Sequence, residues 1–141
     1  MMSITPLYTT TATATGGRSG KVTSADGIID MTLAMPKELG GPGNAANPET
    51  FFASGYAACF QGALGLVARN QKIALPAGNT VTVTIGIGKD ETSFGLNAKI
   101  SVNLPGMDKA QAEALTAAAH QVCPYSKATR GNIEATLETT V

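Results

Sequence analysis

The sequence predicts an α+β chain with two antiparallel β-segments and two main core helices. Strand-like alternation fills residues 9–34 and returns at 80–104 and 132–140, while apolar residues at helical spacing fill 48–69 and the stretch from Asp108 to Cys123. Helices and strands are grouped rather than strictly alternating, the pattern of a segregated α+β arrangement. At 141 residues the expectation is a single domain, 1–141, large enough to bury one core.

Each element has a local reason. The alternating Thr/Ala run from Thr9 to Thr15 has high β-propensity and stops at Gly16-Gly17. Lys21–Ser24 and Ile28–Ala34 flank Asp26-Gly27, a hairpin signal. A Gly/Pro-rich loop, 36–47, precedes a helix with Asn47 as N-cap, Pro48 at its first position and Glu49 near its positive end; it runs to about Arg69. Thr80–Gly88 and Gly95–Leu104 are strands around Lys89-Asp90-Glu91. Asp108 caps a second long helix with Gln111 completing a capping box, and Pro124 ends it near Cys123 because the residue before a proline disfavours helix. A last strand spans 132–140.

Composition narrows the function. Net charge is zero and no Lys/Arg cluster is present, so nucleic-acid binding has no electrostatic footprint. Charged residues make up 14% against the usual quarter or so, which leaves apolar surface to close against a second copy; a homodimer is expected. The first 17 residues have no basic start and no apolar core of a signal peptide. The most apolar run, 51–68, contains Ser54, Gln61 and three glycines and reads as a core helix rather than a membrane span. A cytoplasmic protein follows, where lasting structural disulfides are unusual.

Cys59 and Cys123 are the two thiols. On a helical wheel Cys59 shares a face with Phe52, Tyr56, Ala63 and Leu66 or Val67. It reads either as a small buried hydrophobe or as a reactive thiol that needs a cation to hold its thiolate. Cys123 sits at a helix C-terminus, where the dipole opposes a thiolate. If the two cooperate, Cys59 attacks and Cys123 resolves; otherwise Cys123 is a helix-end core residue.

The segments Asn47-Pro-Glu-Thr-Phe-Phe-Ala-Ser-Gly-Tyr-Ala-Ala-Cys59-Phe60 and Cys123-Pro-Tyr-Ser-Lys-Ala-Thr-Arg-Gly-Asn132 resemble the organic hydroperoxide resistance proteins, the Ohr branch of the Ohr/OsmC family. The opening Leu7-Tyr-Thr-Thr-Thr-Ala-Thr-Ala-Thr-Gly-Gly-Arg18 and the loop Leu39-Gly-Gly-Pro-Gly-Asn44 fit the same branch. The resemblance implies an intertwined homodimer with shared sites and a thiol peroxidase with Cys59 as peroxidatic and Cys123 as resolving cysteine. It also implies Arg18 as the residue that stabilises the thiolate and Glu49 as the residue that aims Arg18. Reduction of the resulting disulfide is implied to come from dihydrolipoyl groups on lipoylated protein, with no metal or flavin. Met35, Leu39, Phe51, Phe52, Tyr56 and Phe94 are candidate walls for bulky organic or fatty-acid hydroperoxides, and read equally well as ordinary core.

Two rival classes stand beside this. His120 and Cys123, three apart on a helix, have a workable metal-ligand spacing, with Cys59 as a third ligand; a lone His there is more often a residue that satisfies the helix dipole. A non-enzymatic redox sensor or apolar-ligand binder would use the long Gly/Pro loop.

Overall fold

The structure, a computed structural model, describes residues 3–141. The chain divides into two compact units, Met1–Pro48 and Glu49–Val141.

The first unit is built on a three-stranded antiparallel sheet of β1 (Ala12–Thr15), β2 (Lys21–Ser24) and β3 (Asp30–Thr32), in that order. Thr13 pairs with Thr23, and Val22 with Met31. The outer strands are shorter than the alternating runs that predict them, because β2 offers only four residues to pair with. A 3-10 turn, Gly17–Ser19, carries Arg18 between β1 and β2. Gly16 and Gly17 have φ of 74° and 61°, left-handed values that glycine adopts without strain. Gly20 is excluded from substitution for another reason: a Cβ there would lie 1.8 Å from the Thr15 carbonyl oxygen. The β2–β3 turn is tied by Asp26, whose Oδ1 accepts from Ser24 Oγ (2.5 Å) and the Ile28 amide (3.0 Å).

The Gly/Pro-rich stretch that follows β3 is a folded loop. A 3-10 turn spans Lys37–Leu39, and the loop returns so that the Ala34 amide donates to the Ala46 carbonyl at 3.0 Å. Leu33 and Ala34 are buried.

The second unit starts with α1 (Pro48–Asn70), which opens with Pro48 at its first position as expected. By length and composition α1 could cross a membrane, with a mean hydropathy of 1.4, but here it is the core helix of this unit. Tyr56, Phe60, Ala63, Leu64, Val67 and Ala68 are buried along it, at spacings that keep them on one stripe. Of the expected face, Tyr56, Ala63 and Val67 are buried, Phe52 and Cys59 are half-buried against the core, and Leu66, the alternative to Val67, is 43% exposed. Cys59 is therefore not simply a buried hydrophobe.

β4 (Thr80–Lys89) and β5 (Phe94–Asn103) form a long antiparallel hairpin, from Thr80 opposite Asn103 to Lys89 opposite Phe94. Asp90 organises its turn, accepting at Oδ1 from the amides of Thr92 (2.8 Å) and Ser93 (2.7 Å). Along β5, Ala98, Ile100 and Val102 are buried while Asn97 and Lys99 are exposed, the period of a half-buried strand. α2 (Lys109–Val122) begins with Asp108 accepting from the Gln111 amide at 3.1 Å, the expected cap. It ends at Cys123. Pro124 does not end the helical region, however; it opens a short further helix, α3 (Pro124–Thr129), since proline is well suited to a first helical position. β6 (Ala135–Thr140) then adds to β5 in parallel, beside the expected antiparallel pair. Leu115 and Ala119 of α2, Ile100 and Val102 of β5, the α1 stripe and Cys123 form one core. The architecture is α+β, with two small sheets and three helices.

Candidate functional site

The two cysteines meet in the second unit. Cys59 Sγ and Cys123 Sγ are 3.5 Å apart with no disulfide between them, the Cys123 thiol donating to the Cys59 sulfur, about 1.5 Å longer than a disulfide bond. Cys123 is buried and Cys59 half-buried, so Cys59 is the more accessible of the two sulfurs.

The surroundings of Cys59 act on its ionisation in opposite directions. Burial pushes its thiol up from the ordinary value, and the neighbouring Cys123 thiol adds to that. The backbone N–H of Tyr125 faces the Cys59 sulfur and favours the thiolate. The middle of α1 offers no such donor; the first turn of α3 supplies it, from a helix that the Pro124 signal concealed.

Tyr125 also packs over the thiol region. A Cβ on Gly55 would lie 2.7 Å from the Tyr125 hydroxyl and 3.1 Å from its ring, so the glycine makes room for the ring against α1. Phe52, Tyr56 and Tyr125 form an aromatic cluster, with centroids 6.3, 6.1 and 5.6 Å apart in the three pairs and Phe52 and Tyr125 edge to face.

Behind this lies a buried polar network. Tyr56 Oη is 2.9 Å from Ser126 Oγ and 3.1 Å from Thr129 Oγ1. Ser126 Oγ is in turn 2.8 Å from His120 Nδ1. Thr129 Oγ1 donates to the Ser126 carbonyl at 3.1 Å, and Arg130 Nη1 donates to the His120 carbonyl at 3.0 Å. Burial and the nearby Arg130 charge hold the His120 imidazole below its usual pKa. Ser126, Thr129 and His120 have no local sequence signal for these roles, because the Tyr56 bonds join residues 70 and 73 positions apart.

The other candidates fall in different places. Tyr56, the fully buried member of the aromatic cluster, has its hydroxyl committed to Ser126 and Thr129. Phe51 and Phe52 are half-buried on α1. Phe94, at the start of β5, is 62% exposed. Glu49 lies in the first turn of α1; because α1 is unbroken, Glu49 and Cys59 are about 15 Å apart along its axis. Arg18, Met35 and Leu39 belong to the first unit. His120 turns Nδ1 to Ser126, and among the described residues no group of three His, Cys, Asp or Glu side chains is placed to hold a metal. A surface recess of about 420 Å³ at the far end of the β4–β5 hairpin is lined by Lys89, Asp90, Asn97 and Glu134, among others, and includes neither cysteine.

The chain matches the family model for OsmC-like proteins over residues 41–138. It is 51% identical over 132 residues to an organic hydroperoxide resistance protein of Xanthomonas axonopodis pv. citri, covering 93% of each chain. Among solved structures it resembles an organic hydroperoxide resistance protein from Legionella pneumophila, with a TM-score of 0.92 at 46% identity over 97% of this chain and all of the other. It also resembles one from Elizabethkingia anophelis, with a TM-score of 0.91 at 47% identity over 97% and 99% of the two chains. The chain thus belongs to the OsmC-like family, in its organic hydroperoxide resistance branch.

Proposed function

We propose that this protein is a cysteine-based peroxidase that reduces organic hydroperoxides, fatty-acid hydroperoxides included, to alcohols and so serves in defence against organic peroxide stress. The observation that carries the reading is the pair of thiols 3.5 Å apart with no disulfide between them, one half-buried and one buried. The names of the relatives point the same way.

The Cys59 thiolate attacks one oxygen of the O–O bond; the other oxygen leaves with a proton as the alcohol, and Cys59 becomes a sulfenic acid. The Cys123 sulfur attacks the sulfenic sulfur, water leaves, and a Cys59–Cys123 disulfide forms. A dithiol reduces it by exchange and is itself oxidised. Dihydrolipoyl groups on a lipoylated protein are the proposed dithiol.

Because burial opposes ionisation of Cys59, turnover near neutrality needs a cation as well as the Tyr125 amide. Arg18 is the proposed cation and Glu49 the carboxylate that aims it, with a guanidinium fork able to serve sulfur and carboxylate together. Met35, Leu39, Phe51 and Phe52 are proposed to favour bulky organic hydroperoxides over hydrogen peroxide. A cytoplasmic homodimer completes the reading. All residues of β1 and β3 are exposed in the single chain, as are Leu7, Tyr8 and Ile28, and a small sheet with so little cover gains stability by packing against a partner. The expected solution mass is twice 14.3 kDa; a monomer would remove that part.

The test is a steady-state assay with dihydrolipoamide and cumene hydroperoxide, measuring the alcohol. Turnover that disappears in Cys59→Ser is expected. Equal rates with and without the protein would refute the enzyme reading.

A further inference from the structure

The hydroxyl network and the thiol pair run side by side between the same elements. Tyr56 precedes Cys59 by three residues on α1, and Ser126 follows Cys123 by three on α3, so each hydroxyl lies about one helical turn from a thiol. The Tyr56–Ser126 contact at 2.9 Å thus runs alongside the Cys59–Cys123 contact at 3.5 Å. His120 precedes Cys123 by three residues on α2, and its Nδ1 reaches Ser126 Oγ at 2.8 Å. One buried hydroxyl therefore joins the end of α2 to the start of α3 across the bend that carries Cys123, and fastens that bend to α1. Ser126 and Tyr56 are both completely buried, so water cannot replace a lost partner without cost.

We propose that Ser126 is a positioning residue for the thiol pair: through Tyr56 and His120 it holds the α2–α3 bend so that Cys123 stays within bonding reach of Cys59. In turnover this would speed closure of the disulfide and limit overoxidation of Cys59, a consequence that rests on the peroxidase reading. The positioning itself does not, because it acts on any reaction that joins the two sulfurs.

The test is therefore made without hydroperoxide. The reduced protein is equilibrated with glutathione buffers of graded ratio. Glutathione disulfide takes two electrons from Cys59 and Cys123, yielding the protein disulfide, with two glutathione thiols carrying the released protons. The midpoint gives the effective concentration of one thiol at the other. Ser126→Ala, which removes the contacts to Tyr56 and His120, and Tyr56→Phe, which removes those to Ser126 and Thr129, are each expected to lower it about five-fold or more, at least the worth of one buried hydrogen bond, and together by less than the product of the two effects. His120→Asn, whose Oδ1 can occupy the place of Nδ1, should stay near wild type where His120→Ala does not.

Thr116→Ala controls for general loosening. Thr116 is buried on α2 and its hydroxyl donates to the Ala112 carbonyl at 2.9 Å, outside the network, so this variant should lose stability without moving the midpoint. If Ser126→Ala does not fold, Tyr56→Phe carries the test, since it removes one hydroxyl from an unchanged ring. Wild-type midpoints in the folded network variants, an equal fall in Thr116→Ala, or no disulfide in the wild type would each overturn the proposal. A normal exchange equilibrium without hydroperoxide turnover would instead sink only the peroxidase reading.

Discussion

Cys59 Sγ lies 3.5 Å from Cys123 Sγ with no disulfide between them, the first sulfur half-buried and the second buried. Closing the pair to a disulfide calls for a movement of about 1.5 Å. A sulfenic acid formed on Cys59 thus has its partner beside it.

Cys123→Ser should leave that sulfenic acid without a thiol to condense with. With excess tert-butyl hydroperoxide the variant is expected to gain 16 Da or so at Cys59 and then to climb to the sulfinic and sulfonic acids, while the wild type does not. Mass spectrometry over a peroxide series reads this directly. Equal overoxidation of both proteins would deny Cys123 a resolving role.

Arg18→Ala should leave burial to act on Cys59 without its proposed cation. The thiolate titration, followed by its ultraviolet absorbance, is expected to move to higher pH, and the rate with hydroperoxide at pH 7 to fall about ten-fold for each unit moved. Raising the pH should restore the rate, because the thiolate is the nucleophile. Arg18→Lys should recover part of it, keeping the charge but losing the planar fork. An unmoved titration would remove Arg18 from this role.

His120 gives a pH dependence of stability. Its folded-state pKa lies below the unfolded value through burial and the Arg130 charge, so as pH falls below about 6.5 the unfolded state takes up the proton first. Stability of the reduced protein is fully present above that pH and is lost as pH falls toward the folded-state pKa. Urea titrations between pH 7.5 and 5 should show a steeper loss for wild type than for His120→Asn. Parallel curves would contradict this.

The core of the second unit should behave as close-packed. Leu115 is completely buried on α2 among Ile100, Val102 and the α1 stripe. Leu115→Ala is expected to cost about 2–5 kcal/mol in urea unfolding. A loss under 1 kcal/mol or so would mean that the site collapses around the cavity.

What the sequence made legible is what local chemistry encodes. β2 occupies the four residues that its flanking turns delimit, and α1 and α2 start where Pro48 and Asp108 signal. α3 was hidden because Pro124 serves equally as a stop for one helix and the first residue of the next. The parallel pairing of β6 with β5 depends on tertiary placement, for which alternation carries no direction. The two cysteines were identifiable, yet their contact spans 64 positions and no local signal gives its distance. Tyr56 shows the limit most clearly. Its helical spacing marks an inward face, but only the fold reveals that its hydroxyl meets Ser126 and Thr129.

Whether the two thiols act as a pair is decided by the intact mass of fully reduced wild-type protein after one equivalent of tert-butyl hydroperoxide, with peptide mapping under non-reducing conditions. A loss of about 2 Da and a single cross-linked peptide pair joining Cys59 to Cys123, formed within the mixing time, are expected. Two free thiols and an unchanged mass, with the hydroperoxide unconsumed, would contradict the pairing.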